Sequence, residues 1–133
     1  MKKHVVISSP YRAVSDDPLQ RAQEKQRNIL MARAACRLAL RRDYVPIAPH
    51  LYFPQFLRDD EPAERRVGIE TALRCIGYCD ELWAIGDRIS EGMADEIAYA
   101  NEIGIPIRCI PDFASGEEEL LAVVKGDGKD RTL

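Results

Sequence analysis

The chain has 133 residues, of which 19 are Lys or Arg and 22 are Asp or Glu, and its formal net charge at pH 7 is -3. This length suits one domain with a substantial core and is short for two ordinary domains. Basic and acidic residues are spread along the chain, so the charge pattern gives no sign of a surface for nucleic acid, and we expect no nucleic-acid partner.

Strands and helices alternate in the first half of the sequence. A short apolar run predicts a strand over residues 4–8, and the helical spacing of apolar residues predicts a long amphipathic helix over 19–41. A second strand is predicted over 44–48. The following segment, 51–57, is unusually apolar for a loop or irregular helix, so we expect a lid or a dimer interface there.

The second half continues the alternation. A helix is predicted over 62–78, a buried strand over 81–85, and a helix over 90–103 that ends at Gly104, a plausible C-cap. A strand over 105–110 and a terminal helix over 117–124 complete the pattern.

This order of elements is typical of the α/β class, in which right-handed crossovers build a parallel sheet of four or five strands with helices on both faces. We place one domain at residues 1–125 and expect a flexible C-terminal tail at 126–133.

The sequence also bears on compartment and cofactors. The apolar run near the N-terminus is too short for a signal peptide, and no later segment approaches a membrane span, so we expect a cytoplasmic protein with no membrane partner.

The cysteines lack paired CxxC spacing and lie in apolar segments, so we interpret them as reduced core residues; they are Cys36, Cys75, Cys79 and Cys109. A metal or redox pair at Cys75 and Cys79 is the alternative, but we expect neither a metal nor a cofactor.

In an open parallel sheet, ligands bind beyond the carboxyl ends of the strands. The loop after the first predicted strand lacks the glycines of a dinucleotide fingerprint or a P-loop, which disfavours NAD binding and ATP hydrolysis. The candidate ligand-binding residues lie at or after the ends of the first three predicted strands; they are Ser8, Ser9, Pro10, His50, Gly86, Arg88, Ser90, Gly92 and Met93.

Several candidates also have purely structural interpretations. The serines of the first loop could only cap their own turn, and His50 could be a packed or capping side chain. Ser90 and Gly92 could bind an anion at a helix N-terminus, or serve as a cap and a packing glycine. Arg12 and Arg88 lie in loops that could form a phosphate clamp, or they are simply exposed.

Glu96 occupies an unusual position on the predicted helix 90–103. Met93, Ile97, Ala100 and Gly104 form one apolar stripe, and Glu96 lies about 70° from its centre. The other acids of this segment, Glu91, Asp95 and Glu102, lie on the opposite face. Glu96 should therefore be desolvated unless it is hydrogen-bonded or reactive.

Two roles are open for such a carboxylate. An ionised carboxylate in a pocket can attack an anomeric carbon and form a covalent glycosyl ester, which a second acceptor then opens. The alternative is a structural glutamate that is hydrogen-bonded to a neighbouring strand.

Motifs in this order resemble the nucleoside 2-deoxyribosyltransferase-like superfamily, and in particular its small bacterial and phage domains of unknown function, over nearly all of residues 4–113. The motifs are Ser9-Pro10-Tyr11, the helix that carries Asn28, Pro46-Ile47-Ala48-Pro49-His50, Cys79-Asp80-Glu81-Leu82-Trp83, Ser90-Glu91-Gly92-Met93 leading to Glu96, and Gly104-Ile105-Pro106. The resemblance implies a flavodoxin- or Rossmann-like three-layer sandwich. It also implies homodimers or higher homo-oligomers that share active-site residues, and a nucleoside or nucleotide ligand.

The resemblance further implies that Glu96 is the nucleophile and that Tyr11 holds it or the sugar. Catalytic members carry a sugar-binding aspartate on the helix before the third strand, where this chain has Ala72 with Glu70 nearby. Asp87, in the loop beyond the third strand, could replace it or serve as proton donor, or it could be a solvated turn residue.

The resulting hypothesis is a nucleoside or nucleotide N-glycosyl enzyme, either a deoxyribosyltransferase or an N-glycoside hydrolase. Glu96 would attack C1′, Tyr11 would orient it, and Asp87 or His50 would protonate the departing base. The first alternative is a non-catalytic module that binds or sequesters a nucleotide-derived ligand, which the absence of the aspartate favours. The second is a partner-binding protein with 51–57 as its contact surface.

Overall fold

Five strands form a mixed sheet in the computed structural model, which describes residues 2–110 and 131–132. The strands are Lys3–Ser8 (β1), Tyr44–Ile47 (β2), Glu81–Ile85 (β3), Ile107–Ile110 (β4) and Arg131–Thr132 (β5). Their order is β2-β1-β3-β4-β5; the first four strands are parallel, and β5 is antiparallel to β4. The prediction of a single-domain α/β fold of the flavodoxin or Rossmann type is confirmed.

Helices cover both faces of this sheet. They are Pro18–Arg41 (α1), Pro49–Tyr52 (α2), Pro62–Gly77 (α3) and Glu91–Ile103 (α4), and a 3₁₀ turn, Phe53–Gln55, follows α2. Alternate residues of a strand point to opposite faces. On β1, Val5 and Ile7 therefore pack with α1, whereas Val6 packs with residues of α3 and α4.

Local sequence explains where the long helices begin and end. Asp17 caps α1 by accepting a 3.0 Å hydrogen bond from the backbone N–H of Gln20, and Pro18 occupies the first turn, where no N–H is needed. Ser90 caps α4 in the same way, and Gly104 ends it with a φ of 84°. These limits agree with the predicted helices to within a residue.

Other segments differ from the sequence predictions. The irregular stretch at 51–57 contains the end of α2 and the 3₁₀ turn, and β4 begins at Ile107 rather than at residue 105. The predicted helix 117–124 lies outside the described residues. Within the predicted tail 126–133, Arg131–Thr132 pair with β4, because an edge strand offers unpaired N–H and C=O groups; the rest of that tail lies outside the described residues.

Glu81 is a buried carboxylate at the start of β3. It lies at the amino ends of the parallel strands, opposite their carboxyl ends. It is 5% exposed and accepts hydrogen bonds from the Tyr44 hydroxyl at 2.9 Å and from Trp83 Nε1 at 3.1 Å. Lys3 Nζ and Arg108 Nε lie 3.6 and 3.8 Å from its oxygens. Burial, together with the hydrogen bond to Glu81, raises the pKa of Tyr44.

The cysteines of the chain are all free thiols. Burial raises the pKa of Cys36 to about 11, and burial together with the neighbouring Cys75 and Asp80 raises the pKa of Cys79 to about 12. Within residues 2–110 and 131–132, no cluster of three His, Cys, Asp or Glu side chains is arranged to hold a metal ion. No helix in the same residues has the length and apolarity needed to cross a membrane.

Candidate functional site

A cavity of about 460 Å³ opens at the carboxyl edge of the sheet. Its wall is formed by the loop after β1, by α2 and the 3₁₀ turn, by α3 with the loop before it, and by the first half of α4. From β1 the chain crosses to β2 on one side, and β3 lies on the other, so the strand order reverses here. Such a switch point is where open α/β sheets bind ligands.

Glu96 lies in the wall of this cavity, and the residue is only 6% exposed. Its Oε1 accepts a 2.6 Å hydrogen bond from the hydroxyl of Ser8, and its Oε2 lies 3.5 Å from His50 Nε2. The predicted burial of Glu96 is confirmed, and both of its oxygens face a polar partner.

The fold explains why Ser8 meets Glu96. Ser8 is the last residue of β1 and has the same orientation as Val6, so it points to the face that α4 covers. Met93 is completely buried and fixes the first turn of α4 against the sheet. Glu96 lies three residues further on, on the adjacent part of the same helical face.

His50 and Tyr11 form a stacked pair in the cavity wall. Their ring centroids are 5.3 Å apart and their planes differ by 12°. The loop that carries Tyr11 is held by the buried Asn28, whose Nδ2 donates to the Tyr11 carbonyl at 3.2 Å. The imidazole of His50 is therefore next to both the Tyr11 ring and the carboxylate of Glu96.

The N-terminus of α4 completes this side of the cavity. The Ser90 hydroxyl accepts a 3.2 Å hydrogen bond from the backbone N–H of Met93, so the capping interpretation of Ser90 is confirmed. Gly92 is exposed, and apart from its chain neighbours and the adjacent helix backbone no atom lies within 4 Å of the position that a Cβ would take there. The first turn is therefore open on the cavity side.

The structure brings some of the predicted residues together and leaves others outside. In the wall lie Ser9, Tyr11, His50, Ser90, Gly92 and Glu96. Ser8 lies beneath Glu96, and Pro10 and Met93 are buried outside the wall.

The turn after β3 also lies outside the wall. Gly86 has a φ of 94° and donates its N–H to the carbonyl of Ile110, while Asp87 and Arg88 are exposed. Of the two proton donors that the sequence offers, His50 therefore lies in the cavity and Asp87 does not.

The sequence over residues 3–110 matches the family described as Domain of unknown function (DUF7768). The chain belongs to this family. No curated protein matches it. The matched span contains β1 to β4 and all of the described residues that line the cavity.

One side of the DUF7768 cavity was missed by the sequence analysis. It includes Asp59, Glu64, Arg65 and Gly68, from α3 and the loop before it, and they lie beside Ala72, which the family resemblance had already singled out. Asp59 pairs with Arg12 Nε at 3.3 Å and with Arg65 Nε at 3.9 Å, and so joins the loop after β1 to α3. The signal in the sequence is the spacing of four between residues 64, 68 and 72, with small residues at the last two, which leaves room along one helical face.

Part of the apolar segment 51–57 lies in the cavity wall. Its residues there are Phe53, Pro54 and Leu57. Tyr52 and Phe56 are 61% and 57% exposed and pack edge to face with each other. The segment thus presents one apolar side to the cavity and another to the surface.

Proposed function

We propose that this DUF7768 domain is an N-glycosyl enzyme that acts on a nucleoside or nucleotide, with Glu96 as the nucleophile. The observation that carries the proposal is the buried Glu96, which lies in the wall of a ligand-sized cavity, is only 6% exposed as a residue, and has its Oε1 held by Ser8. The resemblance of the motifs to nucleoside 2-deoxyribosyltransferases supports the same chemistry.

In the first step, Glu96 Oε2 attacks C1′ of the sugar and the bond between C1′ and the base nitrogen breaks. The departing nitrogen keeps the electron pair and takes a proton from His50 Nε2. The product is a glycosyl ester of Glu96 and a neutral base. Since Ser8 binds Oε1, the lone pairs of Oε2 are directed towards the side of His50 and the cavity.

In the second step, an acceptor attacks C1′ and the ester bond to Oε2 breaks, which returns the carboxylate. Water as acceptor gives a hydrolase, and a second base gives a transferase. His50, neutral after the first step, accepts the proton that the acceptor loses. Tyr11, stacked on His50, positions the imidazole and presents its ring to the sugar.

We also propose a cytoplasmic location and a homo-oligomer. Free thiols at all four cysteines fit a reducing compartment. The exposed rings of Tyr52 and Phe56 beside the cavity fit a surface that a second copy covers.

A second candidate function is a module that binds a nucleotide-derived ligand without turnover. Ala72 favours it, because this residue lies in the cavity wall at the place where the resembling enzymes carry a sugar-binding aspartate. The cavity would then hold the ligand while lacking one contact that the enzymes use.

Purified protein mixed with a panel of nucleosides and nucleoside monophosphates separates the two functions. The enzyme releases free base, which chromatography detects, and Glu96→Ala loses this release whereas Glu91→Ala retains it. Glu91 is the matched control because it is an exposed glutamate on the same helix and lines the same cavity. Saturable binding of a panel member without any base release would contradict the enzyme and support the binding module.

A further inference from the structure

A second, smaller cavity of about 220 Å³ adjoins the main cavity at Tyr11. We call it the notch. The notch and the main cavity are adjacent, because they share part of their walls. The shared residues are Tyr11, Arg12, Ala13 and Asp59.

The side chains that line the notch and those that line the main cavity differ in the sign of their net charge. Among the described residues, the ionisable groups of the notch are three cations, Arg12, Arg21 and Lys25, and one carboxylate, Asp59, beside the Tyr11 phenol. Within residues 2–110, the main cavity has five carboxylates against two guanidinium groups and one imidazole; they are Asp59, Glu64, Glu91, Asp95 and Glu96 against Arg12, Arg65 and His50. A ligand with an anionic group is therefore repelled from the surroundings of Glu96 and attracted to the notch.

The cations of the notch differ in how they are engaged. Arg21 donates from Nη1 to the carbonyl of Ser15 at 3.0 Å, which fixes it beside the loop, and Arg12 pairs with Asp59. Lys25 Nζ lies 5.8 Å from the centroid of the Tyr11 ring, and no carboxylate of the described residues lies within 4.0 Å of it. Among the described residues Lys25 has neither an ion pair nor a hydrogen bond, so an incoming anion can approach it without displacing either.

We propose that the notch binds the phosphate group of a nucleoside 5′-phosphate whose glycosidic bond lies at Glu96. This inference rests on the proposed function, because the sugar must reach Glu96. A single ligand then spans Tyr11, with its anionic end among the three cations and its electrophilic carbon among the carboxylates. The charge separation fixes which end of the ligand enters the cavity.

The first experiment tests the anion site without reference to the base. The full chain, labelled with ¹⁵N, is titrated with sodium pyrophosphate at low ionic strength, and the amide resonances are followed by NMR. Saturable shifts are expected at Arg12, Ala13, Ala22 and Lys25. Lys25→Gln is expected to weaken the binding of pyrophosphate about fivefold. The substitution removes one positive charge, and the attraction between two unit charges at contact distance in water changes a dissociation constant by about this factor.

Arg33→Gln is the matched control, because Arg33 is exposed on the same helix and lies eight residues, about 12 Å, beyond Lys25. It leaves the affinity unchanged. Absence of saturable shifts at the notch, or equal weakening by Lys25→Gln and Arg33→Gln, would overturn the anion site.

The second experiment links the notch to the cavity. Base release is compared between nucleosides and their 5′-monophosphates, and Lys25→Gln is expected to raise the KM of the monophosphates about fivefold with little change for nucleosides. Release from nucleosides that exceeds release from monophosphates would overturn this inference and leave the proposed function intact. Pyrophosphate bound at the notch with no base release from any substrate would instead contradict the proposed function while supporting the anion site.

Discussion

Ser8 donates a 2.6 Å hydrogen bond to Glu96 Oε1 and so joins the end of β1 to α4 across 88 residues of sequence. Both residues are buried, Ser8 completely and Glu96 to within 6%. The bond stabilises the fold by satisfying a buried carboxylate, and it fixes the orientation of Oε2 at the cavity. One contact thus serves both the folding and the proposed chemistry of the domain.

A double-mutant cycle on this pair tests its energy. Ser8→Ala removes the donor from a buried acceptor and should lower the free energy of unfolding by about 1–3 kcal/mol. Once Glu96→Ala has removed the acceptor, Ser8→Ala should cost much less. Urea denaturation of the unsubstituted chain, the two single variants and the double variant measures the coupling free energy between Ser8 and Glu96, for which we expect about 0.5–3 kcal/mol. Purely additive losses would mean that the bond contributes nothing to stability.

His50 should act as the proton donor to the leaving base. His50→Gln is expected to slow base release from natural substrates by about 10² to 10⁴-fold, the usual contribution of a general acid. Release of p-nitrophenol from a p-nitrophenyl riboside should slow far less, because this leaving group needs no proton.

The only other histidine provides the control. His4 is exposed and lies outside the cavity wall, so His4→Gln should leave both rates unchanged. Equal slowing of both substrates by His50→Gln would indicate a role in holding the cavity rather than in proton transfer.

The buried Glu81 predicts a stability effect far from the cavity. Tyr44→Phe removes a 2.9 Å hydrogen bond to this carboxylate and should lower the free energy of unfolding by about 1.5–3 kcal/mol. Tyr78→Phe is the matched change, because Tyr78 is 87% exposed, and it should have almost no effect. Chemical denaturation at neutral pH compares the two, and similar losses would contradict the importance of the Glu81 cluster.

The buried thiols predict a loss of stability at alkaline pH. The pKa values of Cys36 and Cys79 are raised from 9.0 to about 11 and about 12 in the folded protein. The unfolded chain therefore loses these protons first, and unfolding becomes more favourable as the pH rises above 9. This part of the stability is complete below pH 9 and declines towards pH 11 to 12.

Denaturation at pH 8 and pH 10 measures this decline. The variant with Cys36→Ala and Cys79→Ala has a different stability because its packing changes, so the comparison concerns only the difference between the two pH values. That difference should be smaller in the variant. A variant with the same pH dependence as the natural chain would show that other groups cause the decline.

Sequence periodicity predicted the elements and the unusual placement of Glu96, because both depend on residues that are close along the chain. Asp17, Ser90 and Gly104 mark helix ends through local capping, which also needs no tertiary information. The parallel sheet followed from the alternation of strands and helices.

Contacts between distant segments could not be predicted in this way. The stripe on α4 shows that Glu96 is buried, but only the position of α4 over β1 identifies Ser8 as its partner. Asp59 and Arg65 belong to a charged stretch that looks solvated in sequence, and they reach the cavity because the loop before α3 folds towards Arg12. Asp87 lies two residues after the end of β3, yet it is outside the cavity wall.

The stereochemistry at C1′ tests the role of Glu96 most directly. The protein is supplied with a β-nucleoside or β-nucleotide that it cleaves, with methanol present as a second acceptor, and the anomeric configuration of the methyl glycoside is determined by NMR. Two successive displacements, the first by Glu96 and the second by methanol, give retention and a β-methyl glycoside. An α-methyl glycoside would show a single direct displacement and would contradict a covalent intermediate on Glu96.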